Sequence, residues 1–464
     1  MKYDVIVIGS GPGGYVAAIK AAQNGMKAAI VEKAELGGVC LNWGCIPTKA
    51  MIKSAQVFHY TQSAASYGIE LDCEPRASID KIVARSRGVA DTMSKGVAFL
   101  MKKNGIDVIA GYGKLSGEGR VDVKGNDGEN ISIEADHIIL ATGSRPKEMP
   151  FMPIDGRKVI SSRQALVLDK LPESMVVVGS GAIGCEFAYL YATLGVKVTI
   201  VEYLPQLLPV ADADISKSLE RVFRKMKIAV MTDTTVRGVA INGEDKCEVN
   251  VTGKKGEQVL TADIVLSAVG VKSNLENLGI EEAGIQTGYD KILVDDYYRT
   301  NIKGVYAIGD ITAGPALAHV ASAEAICCVE NICGHNPAPI DYSSIPSCVY
   351  TWPEIAMVGM TEKQAVDAGI DVRVGQFPYT ASGKATASGD RDGFVKLIFN
   401  SSDNKLIGAH MMGGNVTEML AEPTLAKTMG LTAADIIHTI HSHPTMSEAV
   451  MEAAEAATGK AVHL

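Results

Sequence analysis

The chain opens on Tyr3 to Ile8, which alternates and runs apolar and so predicts a buried parallel strand. A glycine cluster comes next, Gly9-Ser-Gly11-Pro-Gly-Gly14. An alanine-rich stretch from Tyr15 to Asn24 then predicts a helix that Gly25 stops. A second apolar strand, Ala28 to Val31, closes with Glu32. The same order returns later in the chain. Met175–Val178 reads as a strand, Gly179-Ser-Gly181-Ala-Ile-Gly184 as a turn, Cys185–Thr193 as a helix, and Val198–Val201 as a strand closed by Glu202. Between the copies, periodicity predicts a helix over Ile79–Asn104 and β-structure from Tyr112 to Ile133, with Gly-Asn-Asp-Gly-Glu as a hairpin turn. Three further strands run into glycine turns, at Asp136–Gly143, Asp263–Gly270 and Thr300–Asp310. From Pro346 the glycine pattern is gone. Strands at Val349–Pro353 and Phe394–Phe399 and helices at Thr361–Ala368 and Val416–Met429 read as an α/β region suited to association.

Strand, glycine turn, helix, strand and acid form a dinucleotide-binding unit. Gly9 allows the tight turn, Gly11 the approach of a pyrophosphate, and Gly14 the packing of helix on strand. The anion sits on free N–H groups at the helix N-terminus, and Glu32 accepts from a ribose. Gly179, Gly181, Gly184 and Glu202 repeat those roles, each displaced by 170 positions from its counterpart. Glu202 also selects the second ligand: an acid there suits a free 2′-hydroxyl, and Tyr203-Leu-Pro-Gln206 offers no cation for a 2′-phosphate, so NAD is expected rather than NADP.

A length of 464 residues suggests about three domains. The expected fold is α/β, with two Rossmann-like dinucleotide-binding domains and a C-terminal α/β domain. The expected boundaries are 1–150, 151–273, 274–345 (returning to the first nucleotide) and 346–464. A net charge of −9 without a basic cluster argues against nucleic acid or an anionic membrane as partner. The nine cysteines include Cys185, Cys327, Cys328 and Cys333 in apolar runs, which fits a reducing cytoplasm rather than a disulfide framework. The N-terminus shows no signal-peptide pattern, and the apolar run Val176–Val201 is broken by glycine and carries Glu186, so no membrane span is expected.

Two stretches carry candidate chemistry. In Glu35-Leu-Gly-Gly-Val-Cys40-Leu-Asn-Trp-Gly-Cys45-Ile-Pro-Thr-Lys49, the cysteines stand five positions apart. On an ideal helix that is roughly 8 to 9 Å between Cα atoms, beyond the roughly 4.4 to 6.8 Å of a disulfide. A bridge would therefore need the helix to start late or be distorted. Spacing alone leaves two free buried thiols as an equal alternative. Near the other end, His438-Thr-Ile-His-Ser-His443-Pro-Thr-Met-Ser-Glu448 places an imidazole ahead of a carboxylate. Glu448 reads either as a first-turn acid on its helix or as the group that orients His443. No ligand set completes a metal site there, and none is expected.

Two nucleotide sites, a cysteine pair and a histidine with an acid fit electron flow from a dithiol through a flavin to a nicotinamide. With Gly-Ser-Gly-Pro-Gly-Gly-Tyr, Cys-Leu-Asn-Trp-Gly-Cys-Ile-Pro-Thr-Lys, Gly-Ser-Gly-Ala-Ile-Gly, Tyr-Ala-Ile-Gly-Asp, Tyr-Thr-Trp-Pro-Glu-Ile-Ala and His-Pro-Thr-Met-Ser-Glu-Ala, the chain resembles the pyridine nucleotide–disulfide oxidoreductase family from end to end. The resemblance implies FAD at the first site and NAD at the second, and a homodimer formed through the C-terminal domain. It implies that protein-bound dihydrolipoyl groups are reoxidised by NAD⁺. The partners would be lipoyl domains of 2-oxo acid dehydrogenase acyltransferases or a glycine-cleavage carrier. Cys40 would be the thiol that the substrate attacks and Cys45 the thiolate facing the flavin; His443 of the partner subunit would be the base, held by Glu448. Lys49 would lie beside the flavin and pair with Glu186, which otherwise reads as a surface acid. Glu32, Thr142, Gly143, Asp310, Ala318 and His319 would serve FAD, and Gly270 would lie on the NAD side with Glu202. Val39 departs from the threonine more usual in the family, and Gly270-Val-Lys-Ser-Asn274 matches loosely. The alternatives are a glutathione reductase-like enzyme, which would want cations near Glu202, and a non-catalytic nucleotide-binding subunit.

Overall fold

The computed structural model describes residues 1–243 and 245–464. They form two compact units, one of Met1–Met51, Asp80–Lys147 and Gly270–Ile340, the other of Ile52–Ile79, Glu148–Val269 and Asp341–Leu464. The fold is α/β throughout.

In the first unit Lys2–Ile8 is flanked in parallel by Ala28–Glu32 and Asn130–Leu140. Asp107–Gly117 extends the sheet past the former, and Val305–Ala307 past the latter. The two long strands run on and are joined antiparallel through Arg120–Gly125, with the expected hairpin at Gly125–Glu129. Both faces of the parallel sheet are covered, so alternate residues enter different cores. Val5 and Val7 pack with Ala17, Val97 and Val329, whereas Ile6 and Ile8 pack with Val121, Ile133 and Ile311. Each such side chain contributes roughly 1.5 to 3 kcal/mol by burial, and a charge at Val7 would break the strand's inner face. The first helix runs Pro12–Gln23. It starts three residues earlier than its apolar pattern suggests, because Pro12 is already shaped for a first helical position. The helix Ile79–Lys103 ends one residue short of expectation.

The second unit holds a parallel sheet in the order Ala229–Met231, Lys197–Val201, Ser174–Val178, Ile264–Ser267, Val159–Ile160. It also holds a three-stranded antiparallel sheet, Thr235–Ile241, Cys247–Gly253 and Gly256–Ala262. A five-stranded antiparallel sheet runs Ser347–Val349, Glu354–Gly359, Leu406–Gly413, Phe394–Asn400, Val372–Pro378. Leu397, Phe399, Val450 and Ala453 build the core of this last sheet. Two predicted elements end early. The strand expected over Val349–Pro353 runs instead over Ser347–Val349, since residues 350–353 are the reversal that brings Glu354–Gly359 back alongside it, Val349 opposite Ile355. The helix expected over Val416–Met429 divides into Val416–Met419 and Ala421–Thr428, because Pro423 cannot donate to the Met419 carbonyl.

Candidate active site

Each glycine turn folds into the same cradle. Gly9 and Gly179 have φ of 101° and 97°, and a Cβ would stand 2.3 Å from the Ala141 carbonyl oxygen or 2.5 Å from that of Ala268. Only glycine fits there. A Cβ on Gly14 or Gly184 would lie 1.9 or 2.0 Å from the carbonyl oxygen of Gly9 or Gly179, so helix and turn are in direct contact. Gly11 and Gly181 are the helix N-caps without a side-chain cap, and a Cβ on either would meet no atom within 4 Å. Uncapped N–H groups facing open space fit a pyrophosphate. The acids are held alike. Glu32 accepts from Ser10 N at 2.8 Å, Ser10 Oγ at 2.7 Å and Ala34 N at 2.9 Å. Glu202 accepts from Ser180 N and Oγ, both at 2.8 Å, and from Leu204 N at 2.9 Å. The serines orient each carboxylate, a role sequence reasoning passed over, although both stand between the first two glycines.

The cysteine stretch lies directly after the first cradle. A helix over Gly38–Trp43 carries Cys40; Gly44 breaks it at φ −146°, ψ −112°, and a second helix starts at Cys45 and runs to Gln62. The distortion that a sulfur–sulfur approach requires is thus present between the two cysteines. The Cys40 thiol hydrogen-bonds with that of Cys45, which together with burial pushes its pKa up, while the Lys49 charge pulls the other way. Cys40 is half-buried and Cys45 exposed. Asn42 Nδ2 donates to the carbonyls of Leu36 at 2.9 Å and Gly38 at 3.1 Å, pinning the first helix to its approach.

Other first-unit residues gather around the C-terminal ends of its strands, where open α/β sheets bind ligands. Thr142 Oγ1 donates to the Asn274 carbonyl at 2.7 Å, and Asn274 Nδ2 returns a bond to the Thr142 carbonyl at 3.0 Å. The Gly143 carbonyl accepts from Asn274 N at 2.9 Å. Asn274 was therefore a missed partner, hidden because it lies 132 residues from Thr142. Asp310 comes after Val305–Ala307; Ser144 Oγ donates to its carboxylate at 2.5 Å, and Ser273 Oγ to its carbonyl at 2.9 Å. Ala318 and His319 open the helix Ala318–Ile332, with His319 exposed. Gly270, at φ 99°, accepts from Lys147 N at 3.0 Å.

In the second unit, His443 Nδ1 meets Glu448 Oε1 at 2.8 Å, and Glu448 Oε2 accepts from Thr445 N at 2.8 Å. Burial opposes the Glu448 carboxylate, but the Thr445 N–H and the His443 ring outweigh it and hold its pKa below the usual value. The imidazole is oriented by the acid at the start of Glu448–Ala457, and its ring is largely exposed. Glu186 corrects its surface reading. It is 4% exposed and accepts from Tyr350 N at 3.0 Å, because a strand end 164 residues away covers its helix.

Two dinucleotide cradles, with a cysteine pair on the loop that leaves the first, define a two-nucleotide disulfide oxidoreductase. The chain belongs to the pyridine nucleotide-disulphide oxidoreductase family: that family's model matches residues 3–325, and the model of its dimerisation domain matches 345–454. Its cofactors are FAD and NAD, and the dimerisation domain supports a homodimer. The dihydrolipoyl dehydrogenase of Chlorobaculum parvum is 46% identical over 456 residues, covering 98% of this chain and 97% of its own. That of Zymomonas mobilis is 43% identical over 464 residues, covering 99% of each. The crystal structure of LpdA from Mycobacterium tuberculosis superposes with a TM-score of 0.91 at 29% identity, covering 97% of this chain and 99% of that one. Among the described residues no helix is long and apolar enough to cross a membrane.

Proposed function

We propose that the chain is a dihydrolipoyl dehydrogenase: a protein-bound dihydrolipoyl group and NAD⁺ give a lipoyl group, NADH and a proton. The observation that carries this is the Cys40–Cys45 contact on the loop of the first cradle, in a chain whose second cradle carries an acid, Glu202, that suits NAD. Full-length likeness to enzymes of that name supports it. The Cys40–Cys45 disulfide exchanges with the substrate dithiol: a substrate thiolate attacks Cys40, and Cys45 leaves as a thiolate. His443 of the partner subunit takes the thiol proton as general base. Glu448 keeps Nδ1 engaged so that Nε2 faces the substrate. The Lys49 charge favours the thiolate form of Cys40. Bound FAD supplies the two-electron relay between thiolate and NAD⁺. The first cradle with Glu32, Thr142, Gly143, Asp310, Ala318 and His319 holds FAD, and Gly179, Gly181, Gly184, Glu186, Glu202 and Gly270 serve the NAD side. The four-part division at 150, 273 and 345, a cytoplasmic location, and lipoyl domains of 2-oxo acid dehydrogenase or glycine-cleavage complexes as partners complete the proposal.

The test is the initial rate of NAD⁺ reduction by dihydrolipoamide, with NADP⁺, and glutathione disulfide plus reduced nicotinamide, as controls. Turnover with dihydrolipoamide and NAD⁺ alone supports the proposal; turnover only with another disulfide sinks the substrate. Cys45→Ser should keep FAD and lose dithiol turnover. Mixed dimers of Cys45→Ser and His443→Gln chains should regain part of it, and a fully active monomer would rule out the shared site.

A further inference from the structure

The cysteine stretch is broken in its middle, and the helix Ile79–Lys103 is fastened to the break. The last carbonyls of a helix lie past the end of its own ladder, and the helix Gly38–Trp43 ends at the break. Arg87 answers one of them: its Nη1 donates to the Asn42 carbonyl, and its guanidinium carbon stands 4.1 Å from the centroid of the Trp43 ring. Asn42 and Trp43 are two of the four residues between the cysteines. Ser86, fully buried, donates to the Pro47 carbonyl at 2.9 Å, and Arg85 Nη1 to that of Ala50 at 2.7 Å. Successive helical positions point about 100° apart. Ser86 therefore faces the cysteine stretch directly, and the two arginines reach round from its flanks.

We propose that Arg87 is a positioning residue that holds the break between Cys40 and Cys45 in the bent form in which the two sulfurs meet, and so sets how readily they close into a disulfide. The inference rests on the reading of these cysteines as the redox pair. A guanidinium suits the task because one planar group donates to a carbonyl and stacks on an indole at once. An ammonium keeps the charge without the plane. Without the brace the break samples other bends, and closing the pair then costs the conformational freedom that the brace had already removed.

The test equilibrates full-length, FAD-loaded protein in glutathione buffers. Glutathione disulfide is reduced to two thiols as Cys40 and Cys45 lose their protons and form one S–S bond. Acid quenching, differential alkylation and mass spectrometry then report the state of both cysteines. Arg87→Met should lower the equilibrium constant for closure about tenfold, moving the midpoint about 30 mV positive. Arg87→Lys should shift it less in the same direction. Arg85→Met, which loses the Ala50 contact beyond the pair, should stay at the wild-type midpoint. An Arg87→Met midpoint equal to wild type would overturn the brace; should that variant not retain flavin, an unshifted Arg87→Lys overturns it instead. A wild-type pair that fails to titrate would overturn the redox reading and the brace with it, whereas a titrating wild type beside unshifted variants overturns the brace alone.

Discussion

The two cradles share a backbone and differ in the loop that leaves the acid. In each, the serine carbonyl of the turn accepts from that loop, from Gly37 N in the first and Leu208 N in the second, both at 3.1 Å. The repeat reaches even the next backbone conformation, for Gly38 has φ 61° and Leu208, 170 positions on, has φ 45°. There the copies part. Gly38 lies so close to the first cradle that a Cβ would sit 2.7 Å from Gly11 Cα, and the chain turns at once into the cysteine helix. Leu208 is 1% exposed, and the chain continues to Asp212, which caps Ala213–Lys225. The helices differ too: Ala17, Ala18 and Ala21 are the buried faces of the first, whereas Phe187, Leu190 and Tyr191 fill the second. The motif builds a phosphate cradle; the loop after the acid decides whether sulfur chemistry is placed beside it.

The largest effect should come from the brace peculiar to the second copy. Lys396, 3% exposed, lies 3.0 Å from Asp212, 2.7 Å from Asp214 and 2.7 Å from Glu362. Lys396→Met leaves Asp212 buried without its cation, which should cost about 3 to 5 kcal/mol, read as a fall in denaturant midpoint. Burial favours neutral forms of both groups, yet their pairing raises the Lys396 pKa and lowers that of Asp212. Lys396 therefore stays charged at and below neutrality. The Asp212 contribution is present above the unfolded carboxylate pKa of about 3.9 and is lost as pH falls through its depressed folded value. Wild type should lose stability in that acid window, and Lys396→Met should lose less. An acid dependence unchanged by the substitution would show that the brace does not carry it.

Next comes the glycine that both copies share. Gly14→Ala and Gly184→Ala each drive a Cβ into a backbone oxygen. Such overpacking costs about 1 to 3 kcal/mol, which would be roughly 5- to 150-fold in cofactor affinity. Gly14→Ala should weaken flavin retention, read as flavin absorbance per chain. Gly184→Ala should keep flavin and weaken NAD in a binding titration. Flavin loss from Gly184→Ala would reverse the assignment of the copies.

These assignments were legible because they rest on short-range patterns: apolar runs, glycine offsets, a strand-end acid and two compact motifs. The features that stayed hidden depend on residues far apart in the chain. Nothing local to Glu186 says that Tyr350 covers it, and nothing local to Thr142 points to Asn274. Arg87 lies 45 residues from the carbonyl it holds, on a helix whose pattern reads as ordinary amphipathic surface. Proline was the exception that could have been read further. Pro423 divides a helix through a local rule, the missing N–H.

The smallest effect separates the two acids themselves. Both carboxylates accept three hydrogen bonds from their own loops, in the same arrangement. A glutamine in their place keeps the shape but puts one NH₂ against a backbone N–H, so a donor goes without an acceptor. Glu202 is 4% exposed, and water cannot reach the orphaned group, so Glu202→Gln should lose about 1 to 3 kcal/mol. Glu32 is half-buried, and water can serve in its place, so Glu32→Gln should lose less than about 1 kcal/mol. Paired denaturation midpoints of the two variants decide the matter. Equal losses would mean that the loops tolerate the amide alike and that burial is not what distinguishes the copies. A larger loss at Glu202, together with a raised KM for NAD⁺ and unchanged flavin content, would place the difference in the second cradle's drier acid.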